Sequence, residues 1–210
     1  ALFCNVPSSH VLNNLDLEYL YEAPLAMEKE HLAQVACECL KLDCPEPDLT
    51  DWKAMVDTLY SLKHEVKVAL VGKYTQLHDA YISVVEALKH GGISNQTAVD
   101  IKWVDSETVN DENVADILSD VDGIIVPGGF GDRGIEGMVS SIKYARENNI
   151  PFLGLCLGMQ LAIVEFARDV IGYKDAHSIE FDPNTTHPMI ALLPDQPGRP
   201  SAFPKRVQHR

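Results

Sequence analysis

The sequence predicts an α/β protein, a parallel sheet flanked by helices. Two observations carry that prediction. From Val66 onward, short apolar runs alternate with segments of helical spacing, and a chain so built forms parallel strands joined by helices that cover both faces of the sheet. Two of the runs also close on chain-breaking residues: Val66-Lys-Val-Ala-Leu-Val-Gly72 stops at glycine and Gly123-Ile-Ile-Val-Pro127 at proline.

Taken in order, residues 1–6 read as a short apolar strand, and without a methionine before it this looks like the continuation of a longer chain. Over 26–42, Met27, Leu32, Val35, Ala36, Cys39 and Leu40 fall among Glu28, Lys29, Glu30 and Glu38, which predicts one helix with a buried stripe. Pro24 bends or ends anything before it. Cys44-Pro-Glu-Pro-Asp-Leu-Thr50 breaks the chain and sets a first boundary. Trp52, Met55, Val56, Leu59 and Leu62 then predict a connecting helix up to about His64. Strands are expected over 66–72, 99–104, 123–127 and 150–155. Helices are expected over 79–90, ended by Gly91-Gly92, and over 111–118, 135–148 and 157–170. The expected organisation is residues 1–44, a linker helix over 45–64, the α/β domain over 65–196 and a tail over 197–210.

A net charge of −14 argues against nucleic acid as the main partner. The acid excess is uneven. Residues 197–210 carry Arg199, Lys205, Arg206 and Arg210 with no acid and three prolines, and read as a disordered basic extension. No apolar run approaches the ~18–20 residues that cross a bilayer, so no membrane is expected and a cytoplasmic location is the default. Five cysteines are an odd, uneven set, which argues against a secreted disulfide framework. His31, Cys37, Cys39 and Cys44 contain no C-x2-C pair, and residues 37 and 39 point to different faces of a helix, so no metal site is expected.

The chemistry-bearing stretch is Pro151-Phe-Leu-Gly-Leu-Cys-Leu-Gly-Met-Gln160. With a buried strand before it and a buried helix after it, Cys156 sits on the turn between them, and Gly154 and Gly158 relieve the crowding. This is the sulfur counterpart of the G-x-S-x-G elbow. A thiol there meets unpaired N–H groups and the positive end of the helix dipole, both of which favour the thiolate.

Ligands of parallel sheets gather at strand carboxyl ends, and a second loaded end is Gly128-Gly-Phe-Gly-Asp-Arg-Gly134. Residues 129–134 satisfy G-x-G-x-x-G, yet the dinucleotide fingerprint wants an acid about 20 residues on, at the end of the next strand, where Gly154-Leu-Cys156 stands instead. Val71-Gly-Lys-Tyr74 is too short for a phosphate-binding loop. The loop instead suits an oxyanion, with the Leu157 N–H as one donor and a glycine N–H from 128–131 as the second. A cysteine nucleophile also needs a base. His177 and His187 read as surface residues, and His78 beside Asp79 follows a different strand.

At this point Pro127-Gly-Gly-Phe-Gly-Asp-Arg-Gly-Ile-Glu-Gly137 and Gly154-Leu-Cys-Leu-Gly-Met-Gln160 resemble the class I glutamine amidotransferase domain of the CTP synthases. Ala69-Leu-Val-Gly-Lys-Tyr74, His78-Asp-Ala-Tyr81, Glu86-Ala-Leu-Lys-His-Gly-Gly92 and Ser178-Ile-Glu-Phe-Asp182 are similar to that family in particular. The resemblance implies a flavodoxin-like sheet, incomplete at the C-terminus, with residues 1–44 as the end of a synthetase domain. It implies that Cys156 attacks the side-chain amide of L-glutamine while the Gly129 and Leu157 N–H groups hold the oxyanion. Gln160 and Glu180 would bind the glutamine, and Phe130 would line the pocket. Ammonia would pass to the synthetase domain, where ATP with Mg2+ activates UTP for conversion to CTP. GTP is the family's activator, and the complete enzyme is a homotetramer. No cofactor or metal is implied within this chain.

Departures from the family pattern set further expectations. Its catalytic His and Glu lie in an H-P-E motif far downstream, and His187-Pro188-Met189 imitates its first two letters without the acid. The chain therefore reads as a fragment with little glutaminase turnover on its own. The alternatives are a silent module that binds or regulates intact synthase subunits, and a cysteine hydrolase related by fold alone.

Overall fold

A computed structural model describes residues 5–192. The chain divides into two units, one formed by the chain up to Glu65 with Lys89–Ala98, the other by Val66–Leu88 with the chain from Val99. Of the strand expected over 1–6, only Asn5 and Val6 are described, and they are not in a strand; the tail over 197–210 lies outside the described residues.

In the first unit the single helix expected over 26–42 is two, α1 (Ala23–Lys29) and α2 (Leu32–Leu40), with Pro24 in the first turn of α1, where its missing N–H costs nothing. The break falls at Glu30 and His31, whose φ is 61°. Glu28 explains it: its carboxylate accepts from the Ala33 N–H (3.2 Å), satisfying an amide that a fresh helix start leaves unpaired. α2 closes with Lys41 left-handed (φ 56°) and the Leu42 N–H bonded back to the Cys37 carbonyl (2.9 Å), a Schellman closure without glycine.

The connecting helix is shorter than expected, α3 (Thr50–Leu59). Thr58 and Ser61 hydroxyls donate to the Ala54 and Asp57 carbonyls, and such side-chain bonds compete with the helical ladder. His64 already belongs to β1.

The second unit is built on strands β1 (His64–Gly72), β2 (Thr97–Asp105), β3 (Gly123–Val126) and β4 (Phe152–Gly154), in the order β2-β1-β3-β4. β3 runs parallel to both neighbours, with Leu70 opposite Ile125 and Val126 opposite Gly154. Alternate side chains of the central strands serve opposite faces. Ala69, Val71, Ile124 and Val126 join the cluster with Met138, Ile142, Leu157 and Leu161 of α6 (Ile135–Glu147) and α7 (Leu157–Phe166). Leu70 and Ile125 pack with Tyr81 and with Val84, Val85 and Leu88 of α4 (Ile82–Ser94). Both faces of the sheet are therefore covered, as the alternation of strands and helices predicts.

Several boundaries differ from the sequence reading. α4 follows a tight turn over His78–Tyr81 and runs through Gly91 and Gly92 to Ser94. Its stop comes from Asn95, whose side chain donates to the Gly91 carbonyl (2.8 Å), and from Gln96 at φ 54°. α5 (Val114–Leu118) starts late because Asn110 and Asn113 accept from each other's N–H in a side-chain turn. β4 is not a buried strand: it is the last strand of the described sheet, and Leu153 is 54% exposed. α7 is not buried all round either, since Met159, Ile163 and Phe166 are exposed. It passes into a wider turn over Ala167–Ile171 that Gly172 ends at φ 94°. A short parallel pair, β5 (His177–Ser178) and β6 (Pro188–Ile190), was not expected.

Candidate active site

The site begins where β3 and β4 end side by side. Leu155 continues the pairing, its N–H donating to the Val126 carbonyl (2.9 Å), and the chain then turns at Cys156 with φ 51° and ψ −104° before α7 starts. Both flanking glycines are required by space. A Cβ on Gly158 would stand 2.1 Å from the Val126 carbonyl oxygen, and one on Gly154 would stand 2.6 Å from the Gly158 carbonyl carbon. The thiol is exposed, at the start of a helix whose first N–H groups lack intrahelical acceptors.

The glycine loop after β3 lies against this turn. A Cβ built on Gly128 would be 3.4 Å from the Cys156 Cβ and 4.0 Å from its sulfur, and one on Gly129 would be 3.5 Å from Leu157 Cδ2. The parallel register that sets Val126 opposite Gly154 thus brings Gly128, Gly129, Cys156 and Leu157 together.

The loop is also held from below, by a residue that sequence reasoning passed over. Lys73, just beyond β1, is 4% exposed, and its Nζ donates to the carbonyls of Phe130 (3.2 Å) and Gly131. Its own N–H and that of Tyr74 donate to the Tyr81 hydroxyl (3.1 and 3.3 Å), while its carbonyl accepts from Arg133 (3.3 Å), which pairs with Glu107 (2.9 Å). Burial pushes the Lys73 ammonium below its ordinary value, a shift that Asp132 and Glu180 oppose and Arg133 reinforces. The sequence signal was Gly72-Lys73 at the end of a parallel strand, read as a failed phosphate loop and as part of a family-like segment, with no role given to Lys73.

The other expected site residues fall around this core. Phe130 is 64% exposed on the loop. Gln160 is half-buried in the first turn of α7, its N–H bonded to the Cys156 carbonyl (3.1 Å). Glu180 is exposed beyond β5, its N–H on the Ser178 hydroxyl (3.2 Å), and its carboxylate acts on the Lys73 ammonium.

The three histidines are engaged with other groups. His78 stacks on Trp103, ring centres 4.0 Å apart. His187 Nδ1 lies 2.5 Å from the Asp175 carboxylate and its ring stacks on Tyr173 at 4.1 Å. Hydrogen bonds from Thr186 and His187 hold the Asp175 carboxyl well below the usual range. His177 Nδ1 accepts from the Ser178 N–H (3.0 Å), and burial lowers its affinity for a proton. Among the described residues no group of three or more His, Cys, Asp or Glu could hold a metal ion, and no helix is long and apolar enough to cross a membrane.

Residues 76–192 match the glutamine amidotransferase class-I family. Over 196 residues the chain is 56% identical to the CTP synthases of Clostridium beijerinckii and Geobacillus kaustophilus, which is 93% of this chain and 37% of each relative. Among solved structures it resembles the glutaminase domain of Trypanosoma brucei CTPS with bound acivicin, at a TM-score of 0.54 and 46% identity, over 58% of this chain and 48% of that one.

Proposed function

Because the chain belongs to the class-I glutamine amidotransferase family, we propose that it is the glutamine-hydrolysing part of a CTP synthase. The observation that carries the reading is the exposed Cys156, at positive φ at the start of α7, with the glycine loop so near that a Cβ on Gly128 would stand 3.4 Å from the Cys156 Cβ.

Cys156 Sγ attacks the carbonyl carbon of the glutamine side-chain amide. The resulting oxyanion takes hydrogen bonds from the Gly129 and Leu157 N–H groups. Collapse breaks the C–N bond; the thiol proton leaves with ammonia and a γ-glutamyl thioester remains. Water then splits the thioester to glutamate and restores the thiol, so one glutamine and one water yield one glutamate and one ammonia. Gln160 and Glu180 bind the glutamine, and Phe130 lines the pocket.

Residues 1–44 are the end of a synthetase domain, 45–64 a linker that contains α3, and 65–196 the amidotransferase domain. In the complete enzyme the ammonia aminates UTP after ATP, with Mg2+, activates it; GTP stimulates the reaction, the assembly is a homotetramer and its location is cytoplasmic. The Mg2+, ATP and UTP sites belong to the synthetase portion.

Treatment with acivicin, followed by intact mass and peptide mapping, tests the reading. One adduct on Cys156, absent in Cys156→Ala and slowed by L-glutamine, is the expected result. Ammonia release by the 210-residue chain is expected to be slow, since His78, His177 and His187 are engaged elsewhere. A folded chain that forms no adduct yet co-purifies with intact synthase subunits would overturn the reading in favour of a silent regulatory module.

A further inference from the structure

We propose that Lys73 is a positioning residue that holds the glycine loop in its oxyanion-binding form. The inference rests on the amidotransferase reading of Cys156.

Both ends of the side chain engage the loop. The ammonium donates to the Phe130 and Gly131 carbonyls, fixing two successive peptide planes, and the stem packs under Gly129, with Cδ and Cε each 3.6 Å from where its Cβ would be. Gly129 in turn lies against Leu157, the residue after the nucleophile. Position 73 is itself fixed by the Tyr81 hydroxyl on its N–H and by Arg133 on its carbonyl. A continuous path therefore runs from β1 through Lys73 to the two N–H groups assigned to the oxyanion.

The charge is the informative part. Burying an ammonium is costly unless it is well hydrogen-bonded, and a methionine would fill the same channel without that cost. The hydrogen bonds recorded for this ammonium go to two carbonyls of a glycine loop. Glycines leave such a loop with many accessible backbone conformations. A preorganised donor set accelerates acyl transfer only if the loop does not have to rearrange during the reaction. Lys73 removes that freedom from beneath, leaving the outer face of the loop clear for substrate.

The test uses the 210-residue chain and the γ-(4-nitrophenyl) ester of L-glutamate. Its leaving group needs no proton, so the nitrophenolate burst reports acylation of Cys156; background is subtracted with Cys156→Ala. Alkylation of Cys156 by iodoacetamide, which forms no oxyanion, is measured in parallel. Lys73→Met is expected to slow the burst about 10-fold or more, as loss of oxyanion stabilisation does, with the half-saturating ester concentration and the alkylation rate unchanged. Lys73→Arg, which keeps the charge and donors, is expected to retain more of the burst than Lys73→Met. Where Lys73→Met does not fold, Lys73→Gln, which keeps an amide NH2 but not the charge, is scored the same way and should retain less of the burst than Lys73→Arg. An unchanged burst in a folded variant overturns the proposal, and so does an equal fall in burst and alkylation, which marks a purely structural role. No burst in the wild-type chain overturns the amidotransferase reading itself, and the role of Lys73 with it.

Discussion

Gly158 sits so close to β3 that a Cβ on it would stand 2.1 Å from the carbonyl oxygen of Val126. Alanine in place of a helical glycine ordinarily stabilises by about 1 kcal/mol. Here the obstacle is backbone and cannot swing aside, so Gly158→Ala is expected to cost about 2–3 kcal/mol, the scale of an overpacked core. It should also displace Cys156 and abolish acivicin labelling. Gly91, inside α4 with nothing within 4 Å of its Cβ position, should show the opposite sign. Gly91→Ala is expected to stabilise by about 0.5–1 kcal/mol. Urea denaturation midpoints of the two variants decide the comparison.

Glu165 is 1% exposed and receives a two-pronged bond from Arg146, with Nε and Nη2 at 2.9 and 2.7 Å from Oε1. This pair joins α6 to the last turn of α7. Removing one partner strands a buried charge, which costs about 3–5 kcal/mol. Arg146→Ala strands the buried Glu165 carboxylate, whereas Glu165→Ala leaves an arginine that reaches water, so the larger loss is expected for Arg146→Ala. Replacing both residues by methionine is expected to recover most of the loss. A double-mutant cycle on denaturation midpoints measures the coupling; additive losses would refute it.

Asp120 bridges two strands, accepting from Lys67 of β1 (2.9 Å) and Lys102 of β2 (2.5 Å). Those bonds, Lys102 first, lower its carboxyl from the ordinary 3.8 to about 2. The unfolded chain therefore takes up this proton before the folded one does. The stabilisation from this group is complete above about pH 4 and is lost as pH falls through 2. Denaturation midpoints recorded between pH 5 and pH 2 should fall less steeply in Asp120→Asn than in the wild type.

β1 and β3 were legible because their signals are local: apolar runs closing on Gly72 and Pro127. The turn at Cys156 was legible for the same reason, since Gly154 and Gly158 flank it within four positions. The helix break at Glu30 and His31 was not, because it depends on a rotamer of Glu28 that caps the Ala33 N–H. Gly91 and Gly92 misled because glycine permits a helix to end without obliging it to; Asn95 and Gln96 supply the stop. The exposure of Leu153 depends on β4 having one partner strand in the described sheet, which no local pattern encodes. Lys73 escaped notice because its partners lie 57 and 58 residues away and meet it only once β1 and β3 are neighbours.

The positive-φ backbone at Cys156 sets two selective demands against each other. A residue with a Cβ held at φ 51° and ψ −104° stores roughly 1–3 kcal/mol of strain. Glycine would release it, after its own entropic penalty of up to about 1 kcal/mol. Cys156→Gly is thus expected to be more stable than the wild type by about 1 kcal/mol and to form no covalent adduct, which thermal melting and mass spectrometry can check together. A lineage selected only for a persistent fold would drift away from cysteine at this position, whereas one that must make a thioester keeps the less comfortable residue.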